Sequence, residues 1–440
     1  MIGYEFEFFV VDRKTLRPIR GNVFDAVHKA LAAKGWKNHY DHISNGLDYS
    51  KKGGIALKTD VVLHIFELNM PPCDTVGEAD AQFNEVLGEI DAELAKAGCK
   101  ALMVGGFPAK IDYCERTRGN DAIAYDIKLG ETVADWYVIA GDHIWLDVEK
   151  DRMLRTMDVF NRLSGILIAL FGDSPVIEEK VQPNIEQRSP LPERGVKCGF
   201  TFGVPQRPYT TFCQYLKLIL GSRFYFLIDD DSTCYYLKDP KLTYLDYFEG
   251  RNRIERVDCT SVERVPKIED VEDLLRRNFV DMRPKFRFKK GIRLQDFLDA
   301  VKRDDDAAVL GMFEKAFLEI RVVPCQRLAE KSVAPAFVLG LQENLDAIEA
   351  YLGRKDYSFW VDLKSHAIKD GLAGSDMRRI ASDLAALSRE GLVRRKKGEE
   401  RFLEKLFRRI EKGENVGQEN LGIFKKEGVR KLVEANLAFP

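Results

Sequence analysis

The sequence lacks most of the short motifs that identify a function at once. Its 440 residues include 8 cysteines, but these are scattered and form no C-x-x-C pair, so neither a zinc site nor a disulfide framework is predicted. Such thiols are typical of a reducing compartment, and we expect a cytoplasmic protein. We expect no export signal, because the chain opens directly into strand-like residues.

Long apolar runs and an excess of charge are also missing. The apolar run from Ile166 to Phe171 is far too short to cross a bilayer. A formal net charge of −2 provides no overall attraction to nucleic acid or to an anionic membrane. There is no glycine-rich phosphate loop, so carboxylate-bound metal ions and arginines would have to hold any phosphate ligand.

The first strand, predicted over residues 3–12, is the most informative segment. Residues two apart in a strand point to the same face, so Glu5 and Glu7 lie side by side while Tyr4 and Phe6 face a core. Two like charges beside an apolar sheet repel each other, and a cation between them removes that cost. The pair therefore predicts a site for a hard ion such as Mg²⁺ or Mn²⁺. The alternative is a strand with solvated glutamates.

The remaining periodicities predict an α+β fold. Helical spacing marks residues 76–98 and 151–171, and a further helix is predicted from about 329 to 352. Short or alternating apolar patterns mark strands at 101–105, 134–150 and 317–323, and a strand pair or bulged strand over 57–68 that is closed by Pro71 and Pro72. The proline-rich stretch 173–212 is predicted to be loop-rich. Several strands have one apolar and one polar face. This favours a mostly antiparallel sheet with helices packed on its apolar side.

Further charged or coordinating side chains lie on three other predicted strands. Each set has a structural alternative, such as a surface ion pair worth about 0–1 kcal/mol. In combination, carboxylates, a histidine and arginines are the groups used in metal-assisted phosphoryl transfer. Asp60 and Glu67 differ in parity, so either Asp60 precedes the strand or a bulge intervenes. The sets are Asp60 with Glu67; His143, Trp145 and Asp147; and Glu319 with Arg321.

These motifs, in this order, resemble the carboxylate–amine ligase family that includes the plant and proteobacterial type of glutamate–cysteine ligase. Each motif is weak alone, but six occur in collinear order over most of residues 1–350. They are a G-x-E-x-E-F strand at 3–8, an acidic segment at 60–67 before Pro71 and Pro72, G-x-H at 141–143, a loop at 171–175 followed by Arg188, a segment at 241–250, and E-x-R at 319–321.

The resemblance implies a glutamine-synthetase-like domain, with a curved sheet, helices on its convex face and ATP-dependent amide formation through an acyl-phosphate. The bond would be a γ-glutamyl bond, as between glutamate and cysteine or another amine. By the family pattern, His143 and Arg321 would contact the ATP phosphates, and Arg188 would bind the phosphoryl group or the substrate carboxylate. Two or three Mg²⁺ ions would be bound by carboxylates, namely Glu5, Glu7, Asp60, Glu67 and Glu319.

Several points stay open at this stage. Glu67 and Asp60 are both candidates for the base that takes the proton of the amine. Trp145 stands where the family commonly has a small or polar residue, which leaves the acid and amine substrates undefined. A homo-oligomer is also left open.

The predicted domains are a catalytic domain over 1–353, with an inserted subregion at 251–310, and a helical region over 354–440 packed on it. Two other functions are considered. One is a phosphotransferase on the same kind of sheet. The other is a nucleic-acid-binding protein that uses residues 377–412 as a winged-helix-like segment.

Overall fold

The structure is a computed structural model. Parts of the predicted loop-rich stretch 173–212 and of the 251–310 segment fall outside the residues it describes. The described residues are 1–40, 47–60, 62–112, 114–115, 136–188, 202–223, 227–228, 234–237, 241–250, 254–256, 261–262, 264–277 and 279–439.

A nine-stranded sheet forms the centre of the fold, and all of its pairings are antiparallel. Its order is β8-β9-β7-β1-β5-β4-β3-β2, and β6 pairs with the far end of β1. The strands are β1 Ile2–Asp12, β2 Lys37–Tyr40, β3 Leu47–Lys52, β4 Ile55–Thr59, β5 Ile65–Cys73, β6 Cys99–Leu102, β7 Asp142–Asp147, β8 Met282–Phe288 and β9 Phe313–Ile320.

Fourteen helices in the described residues accompany the sheet. They are α1 Gly21–Ala32, α2 Val76–Lys96, α3 Met153–Phe171, α4 Phe212–Leu220, α5 Tyr244–Phe248, α6 Ile268–Arg277, α7 Leu294–Lys302, α8 Asp306–Met312, α9 Val333–Glu343, α10 Leu345–Leu352, α11 Tyr357–Asp370, α12 Ser375–Arg395, α13 Glu404–Lys412 and α14 Val416–Ala435. Single turns of 3₁₀ helix occur at Lys150–Arg152 and Leu328–Glu330, and a longer one at Glu399–Leu403.

Short strands complete the described part of the chain. They lie at Val176–Ile177, Lys180–Val181, Phe202–Gly203, Leu227–Ile228, Cys234–Leu237, Ile254–Arg256, Ser261–Val262 and Phe279–Val280. The mixture of an antiparallel sheet with many helices confirms the predicted α+β class.

The apolar face of β1 packs against α2. Tyr4 and Phe6 are buried, and the Phe6 ring lies 4.3 Å from that of Phe83 on α2. Helix α2 starts where predicted because Thr75 caps it, its side chain accepting a hydrogen bond from the backbone N–H of Glu78 at 3.1 Å. This packing leaves the other face of β1 free to carry Glu5 and Glu7.

Three sequence predictions need correction. Strand β5 runs through Pro71 and Pro72 instead of ending before them, and its register with β1 shifts at this end, where prolines cannot donate to the ladder. The helix predicted over 329–352 is divided at Asn344, whose side chain donates to the Leu387 carbonyl. Strand β8, inside the predicted insertion 251–310, belongs to the main sheet because it pairs with β9.

The C-terminal helices pack on the rest of the chain through close helix contacts. Gly165 on α3 lies against the backbone of Lys364 on α11, and Gly340 on α9 lies against Ser388 and Gly391 on α12. Between residues 354 and 439 the structure contains no strand that could form a wing. The segment proposed as winged-helix-like is instead a run of packed helices.

Two further findings concern the described residues. None of their helices combines the length and apolarity needed to cross a bilayer. The cysteines whose side chains the structure describes are free thiols: Cys73, Cys99, Cys114, Cys213 and Cys325.

We expect Gly165→Ala to destabilise the protein by about 1–3 kcal/mol, the usual cost of overpacking. The added Cβ would lie 2.8 Å from the backbone nitrogen of Lys364. Gly311, near the end of α8, has no atom within 4 Å of such a Cβ, so Gly311→Ala should be neutral or stabilising by up to about 1 kcal/mol. Denaturant midpoints of both variants test this, and equal midpoints would show that the α3–α11 contact is looser than described.

Candidate functional site

The site is built on the polar face of β1 and its two neighbours. Antiparallel pairing places Glu5 opposite His143 of β7 and Glu7 opposite Glu67 of β5. Only 6% of Glu7 and 1% of His143 are exposed, so these groups are shielded from water. Glu5 and Glu7 therefore share a face of the sheet with the histidine of the G-x-H strand.

Glu5, Glu7 and His143 form a compact triad. His143 Nδ1 lies 2.5 Å from a carboxylate oxygen of Glu5, and Nε2 lies 3.7 Å from one of Glu7. Each residue offers a ligand atom, and the three atoms lie within 4.8 Å of one another. The backbone N–H of Gly141 also donates to Glu7 at 2.5 Å.

His143 is held as a neutral imidazole. Burial, followed by the nearby Arg321 charge, lowers the pKa of His143 to about 3. Arg188 contacts Nε2 and has only protons to donate, so Nε2 is the acceptor and Nδ1 carries the proton donated to Glu5. This tautomer is assigned from the hydrogen-bond partners. A metal ion at His143 would replace one of these two hydrogen bonds.

Asp60 and Glu67 extend the acidic group on the β5 side. Asp60 directly follows β4, and Glu67 lies within β5. Asp60 therefore precedes the strand that carries Glu67, which is one of the two alternatives left open by their parity. Glu67 accepts from Asn69 at 2.6 Å and pairs with Lys58 at 3.0 Å.

The acidic side chains in this group oppose each other's ionisation. Burial and the Glu5 charge raise the pKa of Glu67 to about 8. Burial and the Asp60 charge raise the pKa of Glu7 well above its usual value. A cation placed among them would relieve this cost, so the donor set fits a hard divalent metal.

Glu319 lies on the same face but has cationic neighbours. On β9, its carboxylate contacts Arg283, and it lies 3.2 Å from Lys285 and 3.1 Å from Arg321. Although burial opposes ionisation, these cations hold the pKa of Glu319 well below its usual value. The structure places Glu319 outside the triad, in a cluster where it organises positive charge.

Trp145 contacts two members of this cluster, Glu319 and Lys285. Its indole Nε1 donates to Glu319 at 3.2 Å, and the Lys285 ammonium lies 3.9 Å from the ring centre. Asp147, two residues along β7, is exposed. Trp145 therefore shares the polar face with His143 as predicted.

Sequence analysis missed Arg283 and Lys285 as site residues. Met282, Phe286 and Phe288 alternate with cationic residues in β8, which is the signal that could have found the strand. Pro284 in its middle concealed that signal, but a proline is tolerated at a sheet edge, and β8 is the edge strand.

Arg188, in the loop after α3, lies beside His143. Its guanidinium contacts His143 and donates to the carbonyl of Arg321. A side chain at Gly141 would collide with this guanidinium, which explains the glycine of the G-x-H motif.

The comparisons with known proteins concern the family and the fold of the chain. Residues 1–189 match the family model described as glutamate-cysteine ligase family 2 (GCS2). The matched residues make up less than half of the chain. The match confirms the predicted resemblance over this part of the chain and, with it, the enzyme class, an ATP-dependent ligase. A comparison with curated proteins finds no match.

Two solved structures are similar over nearly the whole chain. The glutamate–cysteine ligase of Francisella tularensis, in complex with AMP, is 14% identical with a TM-score of 0.50, over 99% of this chain and 87% of that one. A bifunctional glutathione synthetase from Pasteurella multocida is 12% identical with a TM-score of 0.47, over 99% of this chain and 50% of that one. At 14% identity, the likeness to the Francisella ligase establishes the fold.

We expect Glu319→Gln to destabilise the protein by about 3–5 kcal/mol, the cost of leaving a buried ionic network uncompensated. The side chains it would leave are at most 13% exposed: Arg283, Lys285 and Arg321. Glu314 on the same strand is 56% exposed, so Glu314→Gln should change stability by no more than about 0.5 kcal/mol. Denaturant unfolding compares the two variants, and an equal effect would argue against the buried cluster.

Proposed function

We propose that the protein is an ATP- and Mg²⁺-dependent ligase that joins a carboxylate to an amine and forms an amide, with a γ-glutamyl bond as the product. The observation that carries this proposal is the grouping, on one face of the sheet, of a carboxylate–histidine triad beside a cationic cluster. Most of the carboxylates lie within residues 1–189, which match the ligase family.

The acidic side of the site supports the metal part of the proposal. Glu5, Glu7 and His143 would hold a first ion, with Asp60 and Glu67 close enough to raise the pKa of Glu7 and to share further ions. Two or three Mg²⁺ or Mn²⁺ ions remain the family-based proposal. When bound, such ions neutralise the charge of a triphosphate and align it for transfer.

The cationic side supports the phosphoryl part of the proposal. Arg188 and Arg321 lie beside His143, and Arg283 and Lys285 lie beside Glu319, so these cations would stabilise a transferred phosphoryl group bound next to them. The solved ligase of Francisella tularensis is a complex with AMP, which is consistent with a nucleotide at such a site.

The proposed reaction has two chemical steps. The carboxylate oxygen of the acid attacks the γ-phosphorus of ATP, which releases ADP and gives an acyl-phosphate. The amine nitrogen then attacks the carbonyl carbon, phosphate leaves, and the amine loses a proton. The cations stabilise the oxyanion, and Glu67, whose pKa is near 8, is the proposed proton acceptor, with Asp60 as the alternative.

ADP release should require ATP, Mg²⁺, an acid and an amine together. We would screen amino acids against amines and analyse the products by mass. ADP formed with a single co-substrate and no amide would support a phosphotransferase instead. Absence of nucleotide binding in the presence of Mg²⁺ would contradict both enzymes.

Glu7→Gln should reduce turnover at least about 100-fold while changing stability by less than about 1 kcal/mol. Burial and the Asp60 charge raise the pKa of Glu7 and so disfavour its charged form in the metal-free protein, which makes a neutral amide a closer substitute for folding than for metal binding. Glu5→Gln should likewise abolish turnover. Glu149→Gln is the control, because that side chain is 71% exposed. Full turnover in Glu7→Gln or in Glu5→Gln would contradict the metal assignment.

A further inference from the structure

A cavity lies on the opposite side of the sheet from the triad. It has a volume of about 520 Å³ and is bordered by α2, the turn before α9, α13 with the 3₁₀ turn that precedes it, and residues 435–438. Helix α2 packs on the apolar face of β1 through Phe83, whereas Glu5 and Glu7 project from the other face. The cavity is therefore separate from the proposed catalytic site.

Most of the charged residues that line this cavity are cationic. Four cations border it, and only two carboxylates, Asp80 and Glu404, do so. Asp80 is already engaged by the Ser332 hydroxyl, and Arg327 by Glu419 and Asn420. The remaining three cations are Arg401, Lys405 and Arg408.

These three cations contrast with their neighbours. In the part of the chain that the structure describes, neither Arg401 nor Arg408 forms an ion pair, and Lys405 donates to the carbonyl of Ala329. Burial and the adjacent Arg408 charge lower the pKa of Lys405. Other cations of α12 and α13 have carboxylate partners: Arg395 with Glu399, Arg409 with Glu330, and Lys412 with Glu414.

We propose that this cavity binds a small, multiply charged oxyanion that carries phosphate or carboxylate groups. Its volume is that of a site for a small molecule, within the usual range of about 300–1,000 Å³. Guanidinium groups present paired N–H donors to the oxygens of either anion. An anion between Lys405 and Arg408 would also offset their mutual repulsion, and no carboxylate of the described residues is in contact with Arg408.

The test is calorimetric titration of the full-length protein, without divalent metal, with pyrophosphate and separately with citrate. We expect binding of at least one probe, and the double variant Lys405→Gln/Arg408→Gln should weaken it by about tenfold or more, the loss of one charge-assisted hydrogen bond. The Arg401 side chain is exposed, and the single substitution Arg401→Gln should weaken the same binding. Arg389→Gln is the matched control, because Arg389 is exposed on α12 and does not border the cavity.

The catalytic face is the competing location for these probes, and Arg188→Gln distinguishes the two. Binding that persists in Arg188→Gln and falls in the cavity variants supports the proposal. A preference for pyrophosphate or for citrate would identify the phosphate or the carboxylate class. Binding that is lost in Arg188→Gln but unchanged in the cavity variants would overturn the proposal, as would no binding of either probe to the unaltered protein.

Discussion

Two glutamates side by side on the central strand, Glu7 buried and Glu5 half-buried, are the constraint on which the rest of the site depends. Glu5 and Glu7 share one face of β1 because successive side chains of a strand point to opposite faces. The packing of Phe6 against α2 fixes which face of β1 is turned towards the core. Their charges must be offset locally. His143 and Gly141 donate hydrogen bonds to Glu5 and Glu7, and crowding of the carboxylates raises the pKa values of Glu7 and Glu67 in the metal-free protein.

The charge of the site changes sign across the sheet, from the β5 side to the edge strand β8. On the β5 side, carboxylates dominate and raise each other's pKa values, which suits cation binding. On the β8 and β9 side, Glu319 gathers Arg283, Lys285 and Arg321, which suits a phosphoryl group. His143 lies between the two regions, bonded to Glu5 and contacted by Arg188. A polyphosphate bridging a metal and a cationic cluster would match this order of charges.

Much of this arrangement was predictable from local patterns. The alternation of side chains along a strand predicted that Glu5 shares a face with Glu7, and His143 with Trp145. The parity of Asp60 and Glu67 predicted a break or a bulge between them, and the structure shows a break between β4 and β5. The order of the strands was not predictable, because pairings such as Glu5 with His143 join residues distant in sequence. The partners of Glu319 were missed for the same reason, since β8 reaches it only through the sheet. The roles of the site residues, the two-domain division and the curvature of the sheet stay predictions.

The most direct test of the account is a crystal structure with Mn²⁺ and a non-hydrolysable ATP analogue, measured for anomalous scattering. The account predicts a manganese peak within coordination distance of the carboxylates of Glu5 and Glu7, with the analogue's phosphates reaching towards Arg321. A structure in which the nucleotide binds elsewhere, or in which manganese avoids both glutamates, would contradict it.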